Sequence, residues 1–324
     1  MKISPDSFKK ELQDKLIELH WKQWAALGLS SNVKEQSKRF IDLESLILST
    51  LLVGKFDKRL LGESIGWILK NRKYINLSRL KSLGKYFLEK IEYSNVPMII
   101  EGLIGLIEKI QRAADCKTGS IDIDPVSHSF PEEYSQTIRN AVLKNSVVEP
   151  QVNKTASMQL RLRCIFGVNA RVEIMLYLMT LKEGNSNRIA KEIFYNQKIV
   201  YRILESWSEA GFLGRQKKRR ETLYSLQDGS KFVKSISGGE KFHYINWGEF
   251  FAFFDNLLLV LDAEQWSSDA YLVSSSFRNV IEEAITTGRY FDITYPDIKL
   301  YQGDSLFSPF ASKTLDILIK TLEM

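Results

Sequence analysis

Apolar residues recur three and four positions apart along most of the first 115 residues. Leu12, Leu16, Leu19 and Trp24 form one such stripe. Ser4-Pro5-Asp6 ahead of it is a helix-start signal, so a helix is predicted to run to about Leu27. Gly28-Leu29-Ser30-Ser31-Asn32 interrupts the pattern, which resumes over Asp42–Val53, Arg59–Asn71, Ser78–Tyr93 and Pro97–Ala114. Residues 1–115 therefore read as a helical domain. Residues 116–157 carry Gly119, Pro125, Pro131 and Pro150 among many Ser, Asp and Asn. They read as a linker with one helix near Glu132–Lys144.

Regular patterning returns at Gln159. Asn169 is an N-cap candidate for Ala170–Leu181, whose Val172, Ile174, Met175, Leu176, Leu178 and Met179 give a wide apolar face ended by Gly184. Ser186 is placed to cap a short helix, Asn187–Ile193, with Ile189, Ala190 and Ile193 inward. A turn, Phe194-Tyr195-Asn196, leads into a third helix, Gln197–Ala210, with Val200, Ile203, Leu204 and Trp207 as its stripe. Gly211 closes it. Phe212-Leu213, a basic run from Arg215 to Arg220, and Thr222–Leu226 then alternate as two strands joined by a charged hairpin.

Beyond Asp228 the pattern is helical again. Gly238-Gly239 marks a turn, Trp247–Leu261 is apolar enough for a buried helix, and helices are expected at Ser275–Thr286 and Pro309–Leu322. The fold class expected is mainly α: a helical domain over 1–115, a linker over 116–157, a central unit over 158–228 with a two-stranded hairpin, and a mostly helical C-terminal domain over 229–324.

Charge sharpens this division. The chain carries a net +6. Residues 158–228 hold 13 Lys+Arg against 7 Asp+Glu, residues 229–324 hold 8 against 13, and residues 1–157 hold 24 against 19. The central unit is thus the densest in positive charge and the C-terminal region is acidic, an asymmetry suited to one part meeting a polyanion. The remaining chemistry is sparse. Cys116 and Cys164 belong to no CxxC or Cys/His cluster, and His20, His128 and His243 have no neighbour at metal-ligand spacing. No P-loop, GxGxxG, HExxH or GxSxG motif occurs. No metal, cofactor or enzymatic activity is expected. No apolar run approaches the about 20 residues of a membrane span, and the N-terminus lacks a signal-peptide pattern, so a cytoplasmic protein without membrane contact is expected.

The order of three helices and a hairpin resembles the winged helix-turn-helix transcriptional regulators. The carrying residues are Ile189-Ala190, Val200 and Leu204, Ala210-Gly211-Phe212-Leu213 and Leu223-Tyr224-Ser225-Leu226, all within residues 158–228. One departure is Phe194-Tyr195, where a small residue often stands in the turn. The resemblance implies duplex DNA as partner, with the third helix in the major groove and the hairpin as a basic wing on the backbone or minor groove. The residues it singles out are Asn196, Gln197, Lys198, Tyr201 and Arg202 on the helix and Arg215, Lys217, Lys218, Arg219 and Arg220 on the wing. Arg161, Arg163 and Arg171 are expected to add phosphate contacts. A homodimer on two half-sites is the matching assembly, with the terminal regions left for dimerisation, an effector or a protein partner. The alternative is a non-catalytic scaffold that uses the same unit to bind a protein.

Overall fold

Among the described residues, most helices open where a short polar side chain takes up an otherwise free backbone N–H. In a computed structural model, the described residues are 3–29, 39–91, 93–115, 129–143, 149–227, 231, 234–236, 243–262, 280–281, 284–285, 287–297, 299–301 and 303–323. Ser4 accepts from the Ser7 N–H and opens α1 (Pro5–Ala26); Asp42 accepts from Ser45 and opens α2 (Leu43–Val53). Asp57 does so for α3 (Lys58–Asn71) and Asn76 for α4 (Leu77–Lys90). α5 (Val96–Asp115) and α6 (Glu132–Leu143) follow. Cys116, Gly119, Pro125, His128, the Gly238-Gly239 turn and the start of the helix expected at Ser275–Thr286 lie outside the described residues.

α2 is buried along its whole length. Its sequence, LESLILSTLLV, has apolar residues on every side, and such a helix needs cover on every side. The cover comes from both ends of the chain. α1, α3, α4, α5 and α11 (Trp247–Asp262) pack on α2, and α12 (Asp304–Glu323) packs on α1. One hydrophobic core therefore draws on residues from Phe8 to Leu318. The regions expected as separate N- and C-terminal domains share that core, because α11 fills the side of α2 that the N-terminal helices leave open. α6, expected within a linker, buries Tyr134 and Ile138 in the same core. α12 begins at Asp304, ahead of the Pro309 start expected, with Pro309 inside it.

Several polar groups enclosed with α2 find hydrogen-bond partners. Trp24 Nε1 donates to Thr50 Oγ1 at 2.8 Å. His20 Nε2 lies 2.8 Å from Ser49 Oγ, which lies 2.8 Å from Asp255 Oδ1, and His20 Nδ1 is 2.7 Å from the Leu16 carbonyl.

The central unit comprises α7 (Met158–Phe166), α8 (Ala170–Leu181), β1 (Glu183–Gly184), α9 (Ser186–Ile193), α10 (Gln197–Glu209), β2 (Leu213–Lys218) and β3 (Glu221–Leu226). Ile174, Tyr177, Leu178, Ile189, Val200, Leu204, Leu213 and Tyr224 form a second, smaller core. The strands make one antiparallel sheet in the order β1-β3-β2. Leu213 pairs with Leu226 and Lys218 with Glu221, so the hairpin turns on Arg219 and Arg220 alone. β1 is a third strand beyond the two expected, pairing Gly184 with Tyr224. Gly184 does not end α8; Lys182 does, at φ 67°. Gly184 is needed one step later, where a Cβ would stand 2.8 Å from Tyr177 Cε1. Among the described residues no helix is long and apolar enough to cross a membrane.

Candidate nucleic-acid interface

The presented surface begins with α8, capped by Asn169 through the Arg171 N–H. α9 is capped by Asn185 rather than Ser186 and ends at Phe194, which takes a left-handed conformation at φ 58°. That conformation is unusual for a bulky residue. Here the surroundings hold it. The Phe194 ring packs on Tyr86 of α4, centroids 5.0 Å apart, and against Gly248 of α11. The next residue, Tyr195, accepts from Asn76 Nδ2 at 2.6 Å through its hydroxyl, which lies 3.4 Å from Glu173 Oε2. Phe194 and Tyr195 thus dock the turn onto the helical core. Asn196 then caps α10 by accepting from the Lys198 N–H.

α10 buries Val200 and Leu204 and turns its other side outward. Asn196, Gln197, Lys198, Tyr201 and Arg202 are all exposed. Gln197 Nε2 donates to Ser186 Oγ at 3.0 Å. Arg215, Lys217, Lys218, Arg219 and Arg220 are likewise exposed along the hairpin. Glu205 ties the two elements together: it accepts from the Tyr224 hydroxyl at 2.6 Å and pairs with Arg215 at 3.5 Å. Burial, with the Glu205 carboxylate beside it, holds the Tyr224 hydroxyl above the ordinary tyrosine range. Lys218 pairs with Glu183 at 3.4 Å; Lys217, Arg219 and Arg220 make no ion pair with a described residue.

The three arginines expected on phosphates part company. Arg171 is exposed. Arg161 is half-buried and donates to the Ile236 carbonyl at 2.6 Å. Arg163 corrects the expectation: it is fully enclosed and cannot reach a phosphate. Its Nη1 and Nη2 bond Glu44 Oε1 and Oε2 at 2.7 Å each, and Nη2 reaches Glu173 Oε1 at 2.7 Å. Burial acts to lower its pKa, but Glu44 and Glu173 outweigh burial and hold it raised.

Arg163 belongs to a charge cluster between the central unit and the helical core. Arg79 of α4 grips Asp42 with both terminal nitrogens, reaches Glu44 Oε2 at 2.8 Å and donates through Nε to the Ile193 carbonyl at 3.1 Å. Burial pushes the Asp42 carboxyl up, but Arg79 beside it prevails and keeps it below its ordinary value. Two guanidinium groups and three carboxylates are thus enclosed together and hydrogen-bonded, the condition under which buried charge is tolerated. Sequence reading missed this cluster. Its signal was Glu44 and Glu173, each the single acid of a helix rich in apolar residues.

Among the described residues no group of His, Cys, Asp or Glu is arranged to hold a metal ion. No protein-family model, curated protein or solved structure matches the chain.

Proposed function

We propose that the chain is a duplex-DNA-binding transcriptional regulator. In this reading α8, α9, α10 and the β2–β3 hairpin act as a winged helix-turn-helix, with α10 entering the major groove and the hairpin lying along the backbone or minor groove. The observation that carries it is the joint exposure of the outward side of α10 and of five basic residues on the hairpin, elements linked through Glu205. The chemistry on offer suits the task. Gln and Asn match adenine edges, Arg matches guanine, and the cations suit phosphates. The β1-β3-β2 strand order adds support, because it pairs the hairpin with the strand that leads into α9. Acting as a homodimer, the chain would place two copies of α10 on two half-sites.

The test is a mobility shift on the gene's own upstream DNA at two salt concentrations. Wild type should bind, and binding should weaken steeply with salt. Arg202→Ala combined with neutralisation of Lys217, Lys218, Arg219 and Arg220 should abolish it; binding that survives those changes defeats the assignment. A second reading, a scaffold that binds a protein through α10, draws on Ile199 and Tyr201, which are 47% and 46% exposed. A stable protein complex that forms without nucleic acid, together with no salt-dependent DNA binding, would favour it.

A further inference from the structure

On the side of α10 away from the hairpin lies a groove of about 430 Å³. α10 supplies Ile199 and Arg202, the start of α8 supplies Asn169 and Arg171, and α4 of the helical core supplies Ser78. Its charged lining is of one sign: Arg171 and Arg202 line it and no carboxylate does. Neither guanidinium makes an ion pair with a described residue. The larger groove between α3 and α6, about 730 Å³, differs in kind, for there Lys58 and Arg59 share the wall with Glu63 and Glu133. A cleft walled by one sign of charge concentrates counter-ions within it. A row of phosphates beside a helix inserted in the major groove would be such a counter-ion.

We propose that this groove seats the phosphate backbone flanking the bases met by α10, and that Ser78 carries the DNA contact onto the helical core. The proposal rests on the DNA-binding reading above and names a part of the surface beyond the winged-helix unit. Ser78 is suited to the role in two ways. It is exposed, and its hydroxyl can donate to a phosphate oxygen. Its neighbour Arg79 is fastened to Asp42, Glu44 and the Ile193 carbonyl, so the wall that Ser78 forms is fixed relative to α10.

The test is fluorescence anisotropy of a labelled duplex across a salt series, with Ser78→Glu, Ser78→Lys and Arg171→Gln beside wild type and the neutralised hairpin. Ser78→Glu should weaken binding about tenfold and Ser78→Lys should tighten it, since the two variants place opposite charges at the same point of the groove wall. Arg171→Gln should reduce the slope of log K against log salt by about 0.9, the loss of one phosphate contact. An acidic residue in the first turn of α4 favours the helix, so Ser78→Glu should melt no lower than wild type. Opposite-sign effects at Ser78 are not expected of a merely structural position. If the hairpin variant weakens binding while both Ser78 variants match wild type, the α4 contact is overturned and the DNA-binding reading stands. If wild type shows no salt-dependent duplex binding, both fall.

Discussion

Gly248 leaves open the space that the Phe194 ring occupies: a Cβ at 248 would stand 2.6 Å from Phe194 Cε2 and 2.9 Å from Leu83 Cδ2. The contact joins α11 to the turn that sets up α10. Gly248→Ala should therefore push Phe194 out of its seat and destabilise the chain by about 1–3 kcal/mol, the usual cost of overpacking. Thermal melting measures this. In a Phe194→Ala background, Gly248→Ala should cost less than it does in wild type, since the ring's share of the clash is gone. Strict additivity would show that the ring does not bear on Gly248.

The Arg163 cluster predicts a large effect far from the exposed surface. Arg163→Met leaves Glu44 and Glu173 enclosed with one cation fewer and should destabilise by about 3–5 kcal/mol. Chemical denaturation at pH 7 would measure it, and a loss under about 1 kcal/mol would mean that the carboxylates are solvated. The cluster also sets an acid limit. Because the folded state holds the Asp42 carboxyl below its ordinary 3.8, its contribution is fully present above that pH and is lost as pH falls below it.

The chain His20–Ser49–Asp255 should respond to pH at both ends. Hydrogen-bond counting favours a neutral arrangement in which Asp255 donates to Ser49, Ser49 to His20 Nε2, and His20 Nδ1–H to Leu16. Burial pushes the Asp255 carboxyl well up, against the pull of Ser49, and lowers His20 to about 4. For Asp255 the folded value is raised, so stability is lost as pH rises above the unfolded value of 3.8. Asp255→Asn can donate to Ser49 without that loss and should raise stability at pH 7 by about 1 kcal/mol or more. For His20 the folded value is lowered, so stability falls as pH drops from 6.5 towards 4, by about 3 kcal/mol in all. His20→Gln should flatten that limb of a pH–stability curve.

Arg219 sits at φ 54° in the two-residue turn of the hairpin. A glycine reaches that conformation without the steric penalty of a Cβ. Arg219→Gly should raise the melting temperature slightly, or at worst leave it unchanged, and under the DNA-binding proposal it should reduce the salt slope by about 0.9. A lowered melting temperature would mean that the arginine side chain holds the turn.

Local features were the most legible in the sequence. Asn169 fulfils its predicted capping role, and the Val200/Leu204 stripe is buried as its spacing requires. Helix termination was less legible: Gly184 looked like a C-cap, but its small size serves contact with Tyr177 across the unit. Long-range partnership was not legible. Nothing near Arg163 in the chain announces Glu44, which lies 119 positions away, and its neighbours Arg161 and Arg171 made it look like one more surface cation. The merging of the terminal regions into one core was equally hidden. Periodicity reports which side of a helix is covered and is silent on which helix covers it.

Lys22 near the end of α1 reaches the carbonyl of Leu322, and Phe8 meets Phe307 edge-on, so the first helix finds its mate almost three hundred residues later. A ribosome releases those segments far apart in time. Until α12 emerges, the apolar flank of α1 that it covers has no native partner, and an unfinished copy carries that surface exposed.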